Sequence, residues 1–510
     1  MEHGRKQHRW APWVVAGLCA APAMASLPFL DAPVGQSEPS LNFSIWSLGA
    51  RALLERGPVE AKLGAVVAPY PGRGDGVYAH HPPLAVWLSV PLTALRAPAW
   101  AFRLFAVAVA VASLALLYRW LCLEVDGQSA VWGLGAAALC GYALVDARLF
   151  TTVTLCTPLW LLLLIELRRA SGPPSPFGPG GVEGGPGFRP EANSPLRPSG
   201  VEGSAPTAAR PAAAGRTLAT APGAEVSHAR VSALVCLLVW SSWDGVLAAA
   251  AASAYLVVTR RAWWVLGAFG GALAPLVLYL VWANGGPNEL VHQLAYRAAN
   301  EGGAQTLATQ VQYLAMGLGP LGLVLLLTSP RFRRQPRLWL AFVPGLAMVL
   351  LFRQGANHHA FWGHNLLVPL GYVAAAYAAR VGTAAILVPA LAAHAASVVP
   401  FAWLELERQR GLDEVGNQVA KVARDRPAGA LAMFDWQAFH PYVTWLAPEL
   451  VPEVVTSVRG LDEVRWRNEL PVLVHVEFLE RLGCAPLPAH DGARWTEASP
   501  EQLRAACAGR

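Results

Sequence analysis

Long apolar runs recur along this chain, near residues 11 to 30, 101 to 121, 129 to 146, 151 to 167, 263 to 283, 308 to 328, 337 to 352, 362 to 379 and 382 to 403. Each is long enough to cross a bilayer as a helix, allowing for tilt and frayed ends. A further run, 231 to 258, is interrupted at Ser241-Ser242-Trp243-Asp244-Gly245 and reads as two helices meeting at a turn, so the pattern predicts eleven spans. With 54% hydrophobic and 14% charged residues among 510, the chain carries more apolar surface than a water-soluble core could cover. The fold class expected is therefore an all-α polytopic membrane protein. The 20 tryptophans suit many membrane interfaces. No basic stripe is interleaved with aromatics, so nucleic acid is not an expected partner. The first run follows a basic start, Arg5-Lys6, and is long enough to be retained as a spanning helix rather than cleaved as a signal peptide.

The segment 84 to 97, LAVWLSVPLTALRA, decides the orientation of everything after it. It is short, has a central proline, and sits between Pro82-Pro83 and Pro98. If it lies at the interface, then Arg119, Arg168-Arg169, Arg260-Arg261, the cluster Arg331, Arg333, Arg334 and Arg337, and Arg380 all share a side with the basic N-terminus. That is the positive-inside arrangement. The expectation is thus a cytoplasmic N-terminus, an outer loop at 31–100 and a membrane domain at 1–403. Residues 170–227 are rich in Pro, Gly, Ala and Ser and read as a disordered cytoplasmic linker. Beyond 403 short apolar runs at 428 to 436, 451 to 458 and 471 to 478 alternate with amphipathic stretches, which predicts a small α/β domain at 404–510 outside the membrane. Five of the seven cysteines lie in or beside apolar segments, without metal-ligand spacing. The other two, Cys484 and Cys507, fall in the outer domain, where an oxidising compartment favours a disulfide between them.

Drawn on this topology, the polar residues that are costly at membrane depth gather on the outer side. Glu38, Asn42, His80 and His81 belong to the first outer loop, Asp146 and Arg148 to an outer helix end, Asp244 to the next outer turn, and Arg297, His358, His359 and His364 to later outer segments. Each has a plain structural alternative. His80-His81-Pro82-Pro83 can simply start a helix, Asp146 and Arg148 can form a local ion pair, and Asp244 can cap the helix that follows it. The three late histidines are spaced poorly for a metal site on a helix.

The order of a first helix, an outer loop with an amphipathic helix (LNFSIWSLGARALLERG, 41 to 57) and then YAHHPPL (78 to 84) resembles the GT-C superfamily. It is most similar to the family 39 type, which includes protein O-mannosyltransferases and aminoarabinose transferases. VDARLF (145 to 150), SSWDG (241 to 245) and GANHHAFWGHNLLVPL (355 to 370) carry further echoes. In that family an Asp stands just before the amphipathic helix as general base. Here its register holds Asn42, and Glu38 lies four residues earlier.

The resemblance implies a membrane glycosyltransferase that moves a sugar from a polyprenyl-phosphate donor to an extracytoplasmic protein, lipid or glycan, in a bacterial inner membrane. It implies Glu38 and Asp244 as catalytic residues and Asn42, His80, His81, Asp146, Arg148, Arg297 and His359 as substrate-binding ones. A divalent metal is known in the superfamily, but this sequence supplies no ligand set for one. The alternative is a non-catalytic GT-C-like protein that binds a polyprenyl lipid or supports envelope assembly. A transporter would show internal repeats, and none is visible.

Overall fold

The computed structural model describes residues 11–70, 74–79, 81–170, 227–299, 304–328, 336–382, 384–436, 440–464, 470–487 and 494–508. The expected linker lies outside them apart from its two end residues, and so does His80. All eleven expected spans fold as helices: Ala11–Ser26, Ala99–Glu124, Gly127–Ala138 with Gly141–Val145, Thr152–Ala170, His228–Ser241, Trp243–Arg260, Trp264–Ala283, Ala304–Leu327, Pro336–Leu351, Leu367–Val381 and Ala384–Asp413. Among the described residues five helices are long and apolar enough to cross a membrane, or six if the pair bent by 65° at Leu139-Cys140 counts as one span. That is fewer than eleven because several runs are cut short where the backbone leaves the helix, as at Ser242 (φ −172°, ψ 168°) and Cys140 (ψ 158°).

Small residues let these helices approach closely. A Cβ on Gly133 would stand 2.3 Å from the Gly371 carbonyl oxygen, so the helices Gly127–Ala138 and Leu367–Val381 touch backbone to backbone. Large rings fill the space beside that contact. Trp120 and Trp160 are wholly buried, and Trp120 stacks on Tyr372 with ring centroids 5.2 Å apart.

The loop 31–100 contains a helix, Glu38–Glu60, a hairpin of β1 (Val66–Tyr70) and β2 (Gly74–Val77), and a short helix, Leu84–Ala94. Eleven residues rise only about 16 Å, too little to span a hydrocarbon core of about 30 Å. The loop helix differs from its expected amphipathic form. Residues 43–50 are buried without interruption, because the helix Leu84–Ala94, the hairpin and the C-terminal segment enclose it. Its regular turns end at Gly57, whose φ of +78° an L side chain would resist.

The C-terminal segment forms a four-stranded sheet in the order β4-β3-β5-β6, from β3 (Gly429–Phe434), β4 (Leu450–Val455), β5 (Val472–His475) and β6 (Trp495–Ala498). β3 runs parallel to β4 and β5, and β6 is antiparallel to β5. Three of these strands lie in the apolar runs identified above, whereas β6, a four-residue edge strand, gives no comparable signal. The Cys484–Cys507 disulfide is present and closes a sequence separation of 23 residues. Replacing both cysteines by serine is expected to destabilise this domain by about 2–4 kcal/mol. Thermal unfolding with and without reductant checks this, the serine variant losing the wild type's response to reductant.

Candidate functional site

Glu38 owes its position to the start of the loop helix. Ser37 is extended, and its hydroxyl oxygen accepts the Ser40 N–H at 3.3 Å, so the helix begins at Glu38 with Pro39 in its first turn. One carboxylate oxygen, Oε1, lies 2.8 Å from His359 Nδ1. The other, Oε2, accepts from Asn42 Nδ2 at 3.3 Å, and the same amide nitrogen donates to the Glu38 carbonyl at 2.9 Å. Asn42, one turn along, therefore holds Glu38. An acid at that register could donate no hydrogen bond there unless protonated. Glu38 is 32% exposed. Burial pushes its carboxyl up, but His359, Arg408 and the Asn42 hydrogen bond together bring it below the ordinary glutamate value.

Glu38, Asn42, Tyr78, His81, Asp244, Arg297 and His359 line one cavity of about 110 Å³. Six of these seven were named from sequence, and they come from five distant stretches of chain. His81 forms its wall by stacking on Tyr78 at 6.0 Å and meeting Trp46 edge-on at 6.1 Å. Trp46 is itself fixed by donating to the Phe150 carbonyl at 3.0 Å.

Asp244 is fully buried and is not the helix cap, because the Ser242 hydroxyl accepts the Gly245 N–H at 3.0 Å in that role. Its Oδ2 accepts a hydrogen bond from Asn365 Nδ2, and Asn365 Oδ1 in turn accepts from the Thr157 hydroxyl at 2.7 Å. Asp244 Oδ1 makes no hydrogen bond among the described residues. Asp244 lines the smaller cavity, and an unpaired acceptor beside it is suited to a ligand hydroxyl.

Asp146 does not share this cavity. It lines a second one of about 390 Å³ with Tyr142, Gln312, Tyr313, Phe401, Glu405, Arg408 and Gln409, and Glu38 stands between the two as a wall of both. Asp146 Oδ2 is 3.1 Å from His364 Nδ1, so that histidine is a partner within the fold. The side chain of His358 lies outside the described residues. Arg148 differs most from expectation. It is 1% exposed and lines neither cavity; its guanidinium donates to Gln409 Oε1 at 2.9 Å and to the Phe29 carbonyl at 3.3 Å, over the Phe29 ring. The cation that does reach the second cavity is Arg408, paired with Glu405 at 2.7 Å. It belongs to the polar stretch Glu405–Arg410 that directly follows the last apolar run, and this abrupt change was the available signal.

Among the described residues no group of three or more His, Cys, Asp or Glu side chains could hold a metal ion. The acids of the two cavities instead meet basic or amide partners: Glu38 with His359 and Asn42, Asp146 with His364, Asp244 with Asn365, and Glu405 with Arg408 and Gln409.

No family model and no curated protein matches the sequence. Solved structures do match. The crystal structure of ArnT from Cupriavidus metallidurans in the apo state superposes with a TM-score of 0.58 at 12% identity, covering 96% of this chain and 98% of that one. The same protein bound to undecaprenyl phosphate gives 0.56 at 12% identity and equal coverage. The apo oligosaccharyltransferase of Archaeoglobus fulgidus gives 0.50 at 12% identity, covering 89% of this chain and 65% of that one. Both proteins belong to the GT-C superfamily, and this chain has their fold.

Proposed function

From a chain with the GT-C fold, we propose a membrane glycosyltransferase that uses a polyprenyl-phosphate sugar as donor and an extracytoplasmic protein, lipid or glycan as acceptor. The observation that carries this reading is the position of Glu38. It is a carboxylate oriented by His359 and Asn42, held below its ordinary value, and placed at the junction of two cavities. A base between two sites is what a transfer between two substrates requires. The bound undecaprenyl phosphate of the ArnT structure supports the lipid donor.

In this mechanism Glu38 takes the proton of the acceptor hydroxyl as its oxygen attacks the anomeric carbon of the sugar. The bond from that carbon to the lipid phosphate breaks, and the electron pair leaves with the polyprenyl phosphate. Arg297, in the smaller cavity, is the cation that meets the departing phosphate. Asp244 Oδ1 accepts from a sugar hydroxyl, and His81 and Tyr78 shape the cleft. Asp146, held by His364, lines the second cavity, which is the acceptor's.

The test is release of polyprenyl phosphate from a polyprenyl-phosphate sugar by the purified protein in detergent. Release that depends on an acceptor supports the enzyme. Lipid binding with no release would instead support the non-catalytic reading, which the absent loop Asp favours.

The same reading sets the orientation: Arg168, Arg260 and Arg334 cytoplasmic, with 31–100 and 404–510 outside, in a bacterial inner membrane. Single-cysteine labelling in intact cells is expected to reach positions in the loop and C-terminal domain but not beside these arginines. Labelling of the C-terminal domain from the same side as Arg334 would refute this orientation.

A further inference from the structure

We infer that the C-terminal segment is part of the catalytic apparatus, with Asp413 as the positioning residue that holds Glu38 in place. The inference rests on the proposed role of Glu38 and extends it. Asp413 ends the last long helix, ten residues past the apolar run, and is fully buried. Its Oδ1 accepts the backbone N–H of Ser37 at 2.9 Å, and its Oδ2 accepts the Ser37 hydroxyl at 2.7 Å. Ser37 immediately precedes Glu38 and caps its helix, so both carboxylate oxygens of Asp413 grip the turn from which Glu38 projects.

The contact continues on both sides. The Gln36 N–H donates to the Leu412 carbonyl at 3.1 Å, and its side-chain amide donates to Asp435 Oδ2, at the end of β3, at 2.7 Å. The backbones meet with no room for side chains: a Cβ on Gly416 would stand 1.7 Å from the Val34 carbonyl oxygen, and one on Gly35 would stand 2.6 Å from Asp413. From the membrane side Arg103, itself buried, donates to the carbonyls of Leu30, Ala32 and Pro33 and lies 3.6 Å from Asp413 Oδ2. The loop carrying Glu38 is thus held between a helix of the membrane domain and residues 412–435. Cap, hydrogen bonds and glycine contacts all converge on the four residues before Glu38. Little of this would be needed if the C-terminal domain were merely appended.

Ser37→Ala and Asp413→Ala in the full-length protein test this, by hydrogen exchange and by kinetics. Exchange of the amides from 36 to 42 is expected to rise about tenfold or more in both variants. The turnover number kcat is expected to fall up to about a hundredfold, as misplacement of a reacting group by an ångström can cause, with the donor KM little changed. The acid limb of the kcat profile should also move up toward the ordinary glutamate range, because Glu38 is no longer held against His359. A mere loss of folded protein would lower the amount of active enzyme without moving that limb. Gln36→Ala, which cuts the side-chain contacts to Asp435 and His440 and leaves Ser37 and Asp413 in place, should act in the same direction, more weakly. Unchanged exchange at 36–42 in both alanine variants, or wild-type kcat in both, would overturn the inference. If the wild type transfers no sugar at all, the functional reading fails by itself, and the exchange measurement still decides whether the clamp exists.

Discussion

Glu38→Gln is expected to lower kcat for sugar transfer by roughly a hundredfold to ten-thousandfold, the usual contribution of a positioned general base. The glutamine keeps the size of the side chain and can still accept a hydrogen bond from Asn42, so the cavity should survive the change. Binding of polyprenyl phosphate, which meets Arg297 in this reading, should stay close to wild type. The pH profile carries a second signature. A base must be deprotonated to act, and the His359 contact and Asn42 hydrogen bond hold the Glu38 carboxyl low despite burial. The acid limb of kcat/KM should therefore lie below the ordinary glutamate value of about 4.3, with activity retained above it and lost as pH falls through it. His359→Ala should move that limb upward, since it removes the partner 2.8 Å from Oε1. Transfer by Glu38→Gln at wild-type rate would remove Glu38 as the base.

Arg297→Met and Arg148→Met should separate a ligand contact from a structural one. Arg297 lines the smaller cavity, and losing one charge-assisted hydrogen bond to phosphate, worth about 1.5–3 kcal/mol, should weaken donor binding by roughly tenfold to a hundredfold. Thermal stability should change little. Arg148 is buried against Phe29 and Gln409 and lines neither cavity. Its loss leaves buried acceptors without a donor, so the expected cost is about 1–3 kcal/mol of stability with donor binding unchanged. Donor titration and thermal unfolding of the two variants give crossed results under this assignment. A donor-binding defect in Arg148→Met without a stability change would reverse it.

The smaller cavity was largely legible in the sequence because ionisable residues at the ends of apolar runs are costly and had few other reasons to be there. Glu38, His81, Asp244, Arg297 and His359 all announced themselves in that way. Arg148 did too, yet it lines neither cavity: an arginine at a helix end looks the same whether it faces a phosphate or a ring of carbonyls. Asn365 and Tyr78 gave no signal, since an amide or a phenol beside an apolar run is common. Asn42 looked like the loss of a function. In the folded chain it is one helical turn from Glu38, where its N–H is useful and an ionised acid would repel.

The apolar runs and the positions of the arginines were enough, by themselves, to call for a helical membrane protein with a small α/β domain at its end. The reason is that apolar length and backbone satisfaction in lipid leave few alternatives. The disulfide followed from there being only two cysteines in that domain. Which polar groups meet was decided only by the tertiary structure, because hydrogen bonds act over about 3 Å and sequence separation says nothing of such distances. Ser37 and Asp413 lie 376 positions apart and are joined at 2.7 Å, whereas Asp146 and Arg148, two residues apart, face different partners.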